Sequence, residues 1–315
     1  MNAIGVDVGG TKIAAGVVTP EGKVLKEVRH PTAHTPARVL EGIAGAIEEV
    51  RDGFEVEGVC LGVPGTVLLS ENKVIFSPNL HAIEGIPLKE ELGKRTGLHV
   101  TVENDASAAA WGEFRFGAGS EVGHLIFVTL GTGVGGGVIT NGVLLRGAQG
   151  AGGELGHVTI QATGPRCGCG NHGCLESLAS GTAIQRRARE VASERPGSAL
   201  GELAADRKVL GEDVTELARQ GDEAAISVLK EAGRWLGVGL AGFVNVFNPE
   251  VIAVGGGVAE AGDLILAPAR REVHLRSRSP GRDLVRIKEA TLGPASGVLG
   301  AAALARYPSG EYVFG

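Results

Sequence analysis

The chain has 315 residues, room for about two hydrophobic cores at roughly 150 residues per domain, which excludes a small disulfide scaffold. Thirty Lys and Arg against 36 Asp and Glu leave a net charge of −6, so the basic excess of a phosphate-backbone binder is missing and no nucleic-acid partner is expected. Hydrophobic residues make up 43% and charged residues 21%, no apolar run nears the ~20 residues that span a bilayer, and no secretory signal follows Met1, so a cytoplasmic protein is expected.

Strand signals open the chain at Ala3 to Val8, Ile13 to Val18 and Val24 to Val28, with a turn at Pro20-Glu21-Gly22. Apolar residues at helical spacing (Val39, Ile43, Ile47, Val50) predict a helix before the buried strand Val56 to Val63. A short helix at Leu88 to Arg95, a strand at Val100 to Glu103 and an alanine-rich helix at Ala106 to Phe116 follow, stopped by Gly117 to Gly119. From Leu125 the opening is replayed: a strand to Leu130, a turn at Gly131 to Gly133, a strand from Val134, and an Asn141-Gly142 hairpin into Val143 to Leu145. Residues 181–247 read as helical with breaks at Pro196-Gly197 and Gly211, and the apolar run Leu236 to Val244 reads as a buried helix. Val251 to Val254 is a strand ending in Gly255-Gly256-Gly257 and followed by an alanine-rich stretch. Arg286 to Ile287 is a weaker strand, and Ser296 to Ala305 a final small-residue helix. This order, given twice, implies two α/β lobes, residues 1–116 and 117–295, with a ligand cleft between them.

Asp7-Val8-Gly9-Gly10-Thr11-Lys12 places an acid at a strand end, then a glycine turn, a hydroxyl and an ammonium. Free N–H groups in such a turn bind an anion, and Asp7 can hold a hydrated Mg²⁺; the plain alternative is a hairpin turn with a surface lysine. Gly131-Thr132-Gly133 stands at the matching point of the repeat, so the two turns are expected to face each other across a polyphosphate. Neither fits the P-loop or the dinucleotide pattern, because each leads into another strand.

Gly152-Gly153-Glu154-Leu155-Gly156-His157 precedes a loop running from Cys167 to Glu176. His157, Cys167, Cys169 and Cys174 make a Cys₃His set for Zn²⁺, structural because all four ligands are protein groups. His172 is a rival ligand, disfavoured by its closeness to Cys169 and Cys174. Cys60, alone in the apolar run Val59 to Val63, reads as core.

The paired turns resemble those of the sugar kinase and actin-like ATPase superfamily, whose lobes each open with a strand-turn-strand phosphate loop. The resemblance implies a two-lobed, ribonuclease H-like α/β fold with a duplicated strand meander, and makes Gly255-Gly256-Gly257 an adenosine-side turn. In such a cleft, transfer to a hydroxyl needs a carboxylate near the acceptor proton and an amide beside it, which makes Asp105 the candidate base. The alternative is that Asn104 or Asp105 merely caps a helix.

Asp7 to Lys12, Glu103 to Asp105, Gly131 to Gly133, Glu154 to His157 and Cys167 to Glu176 together resemble the ROK family of repressors and sugar kinases over essentially the full chain, its bacterial glucokinases most. That resemblance implies ATP-dependent phosphorylation of glucose at its 6-hydroxyl. It places Asp7, Gly9, Gly10, Thr11, Lys12, Gly131, Thr132, Gly133, Gly255 and Gly256 on ATP with Mg²⁺. Gly65, Asn79, Asn104, Asp105, Glu154, His157 and Glu176 fall on the sugar, with one His157 ring nitrogen on zinc and the other toward substrate. It further implies that the C-terminal helix, within residues 296–315, joins the first lobe, and that the protein is a homodimer or homotetramer. N-acetylmannosamine, fructose and allose are alternative substrates. The rival reading is a sugar-sensing regulator. ROK regulators carry an N-terminal helix-turn-helix domain, for which this chain, beginning at its phosphate-loop strand, is expected to leave no room.

Overall fold

A computed structural model describes residues 1–310 apart from Leu69 and Asn72; residues 311–315, grouped with the C-terminal helix by sequence, lie outside the described residues. Two compact units divide the chain. The first comprises residues 1–127, 136–153 and those from Ala290 on, the second residues 128–135 and 154–289.

The chain begins with β1 (Asn2–Val8), β2 (Lys12–Val18), β3 (Val24–Pro31), α1 (Pro36–Arg51) and β4 (Val56–Val63). A hairpin of β5 (Thr66–Leu68) and β6 (Lys73–Phe76), then α2 (Leu88–Thr96), β7 (Val100–Asn104) and α3 (Asp105–Phe116), follow. β1 runs antiparallel to β2 and parallel to β4, giving a sheet of order β3-β2-β1-β4-β7. Its edge strand β3 alternates half-buried and exposed residues, whereas β2 and β4 are near-continuous apolar runs covered on both faces. On one face Val39, Ile43, Ile47 and Val50 of α1 and Leu88 and Leu92 of α2 pack on Ile4, Val6, Ile13 and Leu61.

The remaining elements are β8 (Leu125–Leu130), β9 (Val134–Thr140), β10 (Val143–Leu144), α4 (Leu175–Ala179), α5 (Gly181–Glu194), α6 (Ala199–Asp206), α7 (Gly211–Arg219), α8 (Glu223–Phe247), β11 (Val251–Gly255), α9 (Asp263–Arg276), α10 (Gly281–Leu284), β12 (Arg286–Glu289) and α11 (Ser296–Arg306). The second sheet has the order β10-β9-β8-β11-β12. Third, second, first, fourth, last is the order of the first sheet too, so the repeat read at Leu125 is a repeat of topology.

α11 covers the other face of the first sheet, against α3, β1 and β4. The small residues of both helices follow from that contact. A side chain at Gly112 of α3 would put its Cβ 2.5 Å from the Ser296 carbonyl oxygen, and one at Gly300 would run into the Ala108 carbonyl. Alanine and glycine allow backbones to meet where larger residues would separate them.

Among the features that escape the sequence reading are the β5–β6 hairpin, α9, and a helix break at Gly221. α9 buries only Ile265, Leu266, Ala269 and Val273, a thin stripe interrupted by Pro268 and flanked by arginines. At the break, Gly221 has φ +93° and the Asp222 carboxylate accepts the Ala225 N–H at 2.7 Å, starting α8 afresh. Among the described residues no helix is long and apolar enough to cross a membrane.

Candidate active site

In the first unit Asp7 lies near the end of β1, half-buried and opposite Gly62 of β4. Burial pushes its carboxyl above the ordinary aspartate value, against a smaller downward pull from Lys12. The following turn is closed by the Gly9 N–H donating to the Lys12 carbonyl at 2.8 Å. Thr32 braces it, its hydroxyl donating to the Gly9 carbonyl at 2.7 Å and its amide to the Thr11 carbonyl at 3.0 Å. The Gly10 and Thr11 amides have no acceptor among the described residues, so two donors stand ready for an anion.

None of Gly9, Gly10, Gly131 and Gly133 takes a left-handed backbone. At Gly10 the need is room: a Cβ would stand 3.0 Å from the Asn79 carbonyl oxygen. That approach brings the Asn79 segment to the turn. The segment is held by Glu84, whose Oε1 accepts the Ser77 N–H at 2.8 Å and meets His81 Nδ1 at 2.9 Å. The His81 bond, then the Ser77 bond, hold the Glu84 carboxyl below the usual range. Sequence reasoning missed Glu84; the His81-x-x-Glu84 spacing was its one signal.

Asn104 ends β7, and its Oδ1 accepts the Ser107 N–H at 2.9 Å, capping α3. Its Nδ2 donates to the Gly65 carbonyl at 3.0 Å and to Asp105 Oδ1 at 3.2 Å, and the same Oδ1 accepts the Ala106 N–H at 2.8 Å. Capping and positioning are therefore one arrangement: the cap fixes the carboxamide, and the carboxamide orients the Asp105 carboxylate. Both Nδ2 hydrogens are used, so the hydrogen-bonding capacity left on the Asn104 carboxamide is that of an acceptor, at Oδ1. Gly65 has φ +102°, and a side chain there would run into the Phe76 carbonyl, so only glycine presents this carbonyl to Asn104.

In the second unit the Gly131 N–H donates to the Gly133 carbonyl at 3.0 Å, and the Thr132 and Gly133 amides have no acceptor among the described residues. The first turn of α5 supports this loop, the Gly181 N–H donating to the Gly131 carbonyl and the Thr182 hydroxyl to the Thr132 carbonyl, each at 2.8 Å. Thr182 carries no motif and went unread. Gly255 is buried at the end of β11, and Gly256 follows with φ +85°, where a side chain would strike the Leu130 carbonyl. Glu154 is exposed, and its carbonyl accepts the His157 N–H at 3.1 Å in a 3₁₀ turn over Leu155–His157. Glu176 links two features: its Oε2 accepts the Val134 N–H at 3.0 Å and its Oε1 accepts from Cys167 Sγ at 3.4 Å.

The ligand atoms of His157, Cys167, Cys169 and Cys174 lie within 4.8 Å of one another. Cys167 Sγ is 3.7 Å from His157 Nδ1, and Cys169 Sγ is 3.7 Å from Cys174 Sγ. A tetrahedral zinc with Zn–S bonds of about 2.3 Å holds its sulfurs roughly 3.8 Å apart, so this donor set fits such an ion. All four cysteines are free thiols. His172 stands outside the cluster, exposed, with Nδ1 facing the Gly164 carbonyl at 3.2 Å. Cys60 is buried in β4, and burial pushes its thiol up to about 12.

Similar proteins share this framework. The chain is 43% identical to a glucokinase of Streptomyces coelicolor over 312 residues, 97% of this chain and 98% of that one. It is 42% identical to a glucokinase of Thermotoga maritima over 276 residues, 87% of each. The crystal structure of a ROK family glucokinase from Streptomyces griseus, in complex with glucose and AMPPNP, matches with a TM-score of 0.84 at 41% identity, covering 98% of this chain and all of the other. The architecture common to these sugar kinases is the actin-like ATPase fold. Residues 3–307 match the ROK family as a whole, and with the relatives aligned over nearly the full length, the chain belongs to the ROK family.

Proposed function

We propose that the chain transfers the γ-phosphoryl group of ATP to the 6-hydroxyl of glucose. The observation that carries this reading is near end-to-end similarity to proteins named glucokinase; the oriented Asn104–Asp105 pair supports it. Phosphoryl transfer asks a protein mainly for position and charge stabilisation. Asp105 takes the proton of the attacking hydroxyl, with its carboxylate set by Asn104 and the Ala106 amide. Asn79, Asn104, Glu154, His157 and Glu176, with the backbone at Gly65, hold the sugar. His157 turns Nδ1 to the cysteines, leaving Nε2 for a hydroxyl.

The free amides of Gly10 and Thr11, and those of Thr132 and Gly133, donate to phosphate oxygens, with Gly9, the Thr11 hydroxyl and Lys12 beside them. Gly255 and Gly256 serve the adenosine side. Asp7 would hold the hydrated Mg²⁺ that accompanies ATP, and the ion would supply neutralisation of phosphate charge. Zn²⁺ on His157, Cys167, Cys169 and Cys174 is structural, since four protein ligands leave no open position. The protein works in the cytoplasm as a homodimer or homotetramer, without nucleic acid or membrane.

The test is ADP release with Mg-ATP across glucose, mannose, fructose, allose, N-acetylglucosamine and N-acetylmannosamine, against a blank without sugar. Strong stimulation by glucose is expected. A different preferred sugar overturns the substrate, and stimulation by none, in zinc-loaded protein that still binds sugar, overturns the kinase.

A further inference from the structure

Glu103 is buried immediately before the Asn104–Asp105 pair, and its carboxylate uses both oxygens. Oε1 accepts the Asn104 N–H at 3.0 Å, and Oε2 accepts Arg146 Nε at 2.6 Å. The two side chains are 4% and 15% exposed, so this is an ion pair largely removed from water. The same guanidinium donates through Nη1 to the Ser309 carbonyl. The Arg146 backbone is engaged as well, its carbonyl accepting the Gly152 N–H at 2.8 Å. That bond closes a loop ending two residues before Glu154. A side chain at Gly152 would place its Cβ 2.9 Å from the Arg146 carbonyl oxygen, so the closure depends on glycine.

We infer that Arg146 is a positioning residue for phosphoryl transfer: through Glu103 its guanidinium holds the backbone of the Asn104–Asp105 pair, and its carbonyl holds the glycine loop ahead of Glu154. The inference rests on Asp105 acting as the base. A buried carboxylate confined to one rotamer by a guanidinium can fix the amide it accepts from, and with that amide the start of α3. Loss of the guanidinium leaves the Glu103 charge buried without its partner, and the carboxylate turns away from Asn104 to find water. A reacting group displaced by about 1 Å costs up to ~10²-fold in rate. The carbonyl bond to Gly152 survives any side-chain change at 146, so the loss falls on turnover more than on sugar binding.

The experiment compares kcat, glucose KM and thermal midpoint for the full chain and for Arg146→Met, Arg146→Lys, Glu103→Gln and Asp105→Asn. Arg146→Met is expected to lower kcat at least about tenfold while glucose KM stays within about threefold. Arg146→Lys, with an ammonium for Glu103, should recover most of that loss. If Arg146→Met does not fold, Glu103→Gln decides: reduced kcat at an unchanged thermal midpoint upholds the inference, and full kcat overturns it. Inactive Asp105→Asn beside fully active Arg146→Met and Glu103→Gln overturns the role of Arg146 alone. Active Asp105→Asn overturns the assignment of the base and this inference with it.

Discussion

Glu113 is the most heavily used buried carboxylate among the described residues. It sits in α3 with no exposed surface, and Oε2 accepts the Ala118 N–H at 2.8 Å, the Thr291 N–H at 3.1 Å and the Thr291 hydroxyl at 3.3 Å. Oε1 accepts the Leu292 N–H at 2.8 Å. One side chain thus fastens the end of the helix that begins at Asp105 to the segment leading into α11. Glu113→Gln keeps the shape but turns one acceptor into a donor that faces a donor. A hydrogen bond to a charged group contributes about 1.5–3 kcal/mol, so the exchange should cost about 2–3 kcal/mol. At about 2–4 °C per kcal/mol for a unit of this size, the thermal midpoint should fall by about 4–12 °C. Glu113→Ala, which strands four donors, should cost more than Gln, and Thr291→Val, which removes one hydroxyl, about 1 kcal/mol. Calorimetry or circular dichroism on the full chain supplies the midpoints. A Gln variant as stable as wild type, or a Thr291→Val as damaging as Glu113→Ala, would refute the reasoning.

Asp105→Asn should retain glucose binding by calorimetry while kcat falls at least ~10²-fold; near-normal turnover would remove Asp105 as base. Metal analysis should find about one zinc per chain, and a strong chelator should open Cys167, Cys169 and Cys174 to alkylation in the folded protein. Cys60, with its thiol near 12, should stay unlabelled until unfolding; labelling of all four together would contradict the burial argument. Asp7→Asn should stabilise the metal-free protein increasingly as pH rises above about 4. The folded carboxyl titrates above its unfolded value of 3.8 because burial favours the protonated form, so wild type loses stability across that interval and the amide does not. A stability gap that narrows with rising pH would refute this, and kcat should fall in the same variant.

What was legible in the sequence was local or periodic. The cysteine loop could be read because Cys167, Cys169 and Cys174 lie within one turn of chain. The duplicated meander could be read because strand, glycine turn and strand recur in the same order. The small residues of α3 and α11 announced close packing, though nothing in either helix said that the two pack on each other. The bracing of the site was not legible. Glu103 meets Arg146 across 43 residues and Glu113 meets Thr291 across 178, and a buried glutamate looks the same in sequence as a solvated one. Asn104 was read as either a cap or a substrate ligand; the hydrogen bonds show that capping is how its carboxamide is aimed.

The meeting of Gly112 with Gly300 has a consequence for how the protein is made. β1 leaves the ribosome first, yet the helix that covers its sheet arrives about 290 residues later. At roughly 5–20 residues per second that is a delay of about 15–60 s. During that interval the nascent first unit carries an uncovered apolar face at Ala14 and Val18, whose packing partners Val298, Leu299 and Ala302 do not yet exist. Its first unit is therefore completed last, and the waiting sheet is the surface a chaperone or another nascent chain would meet.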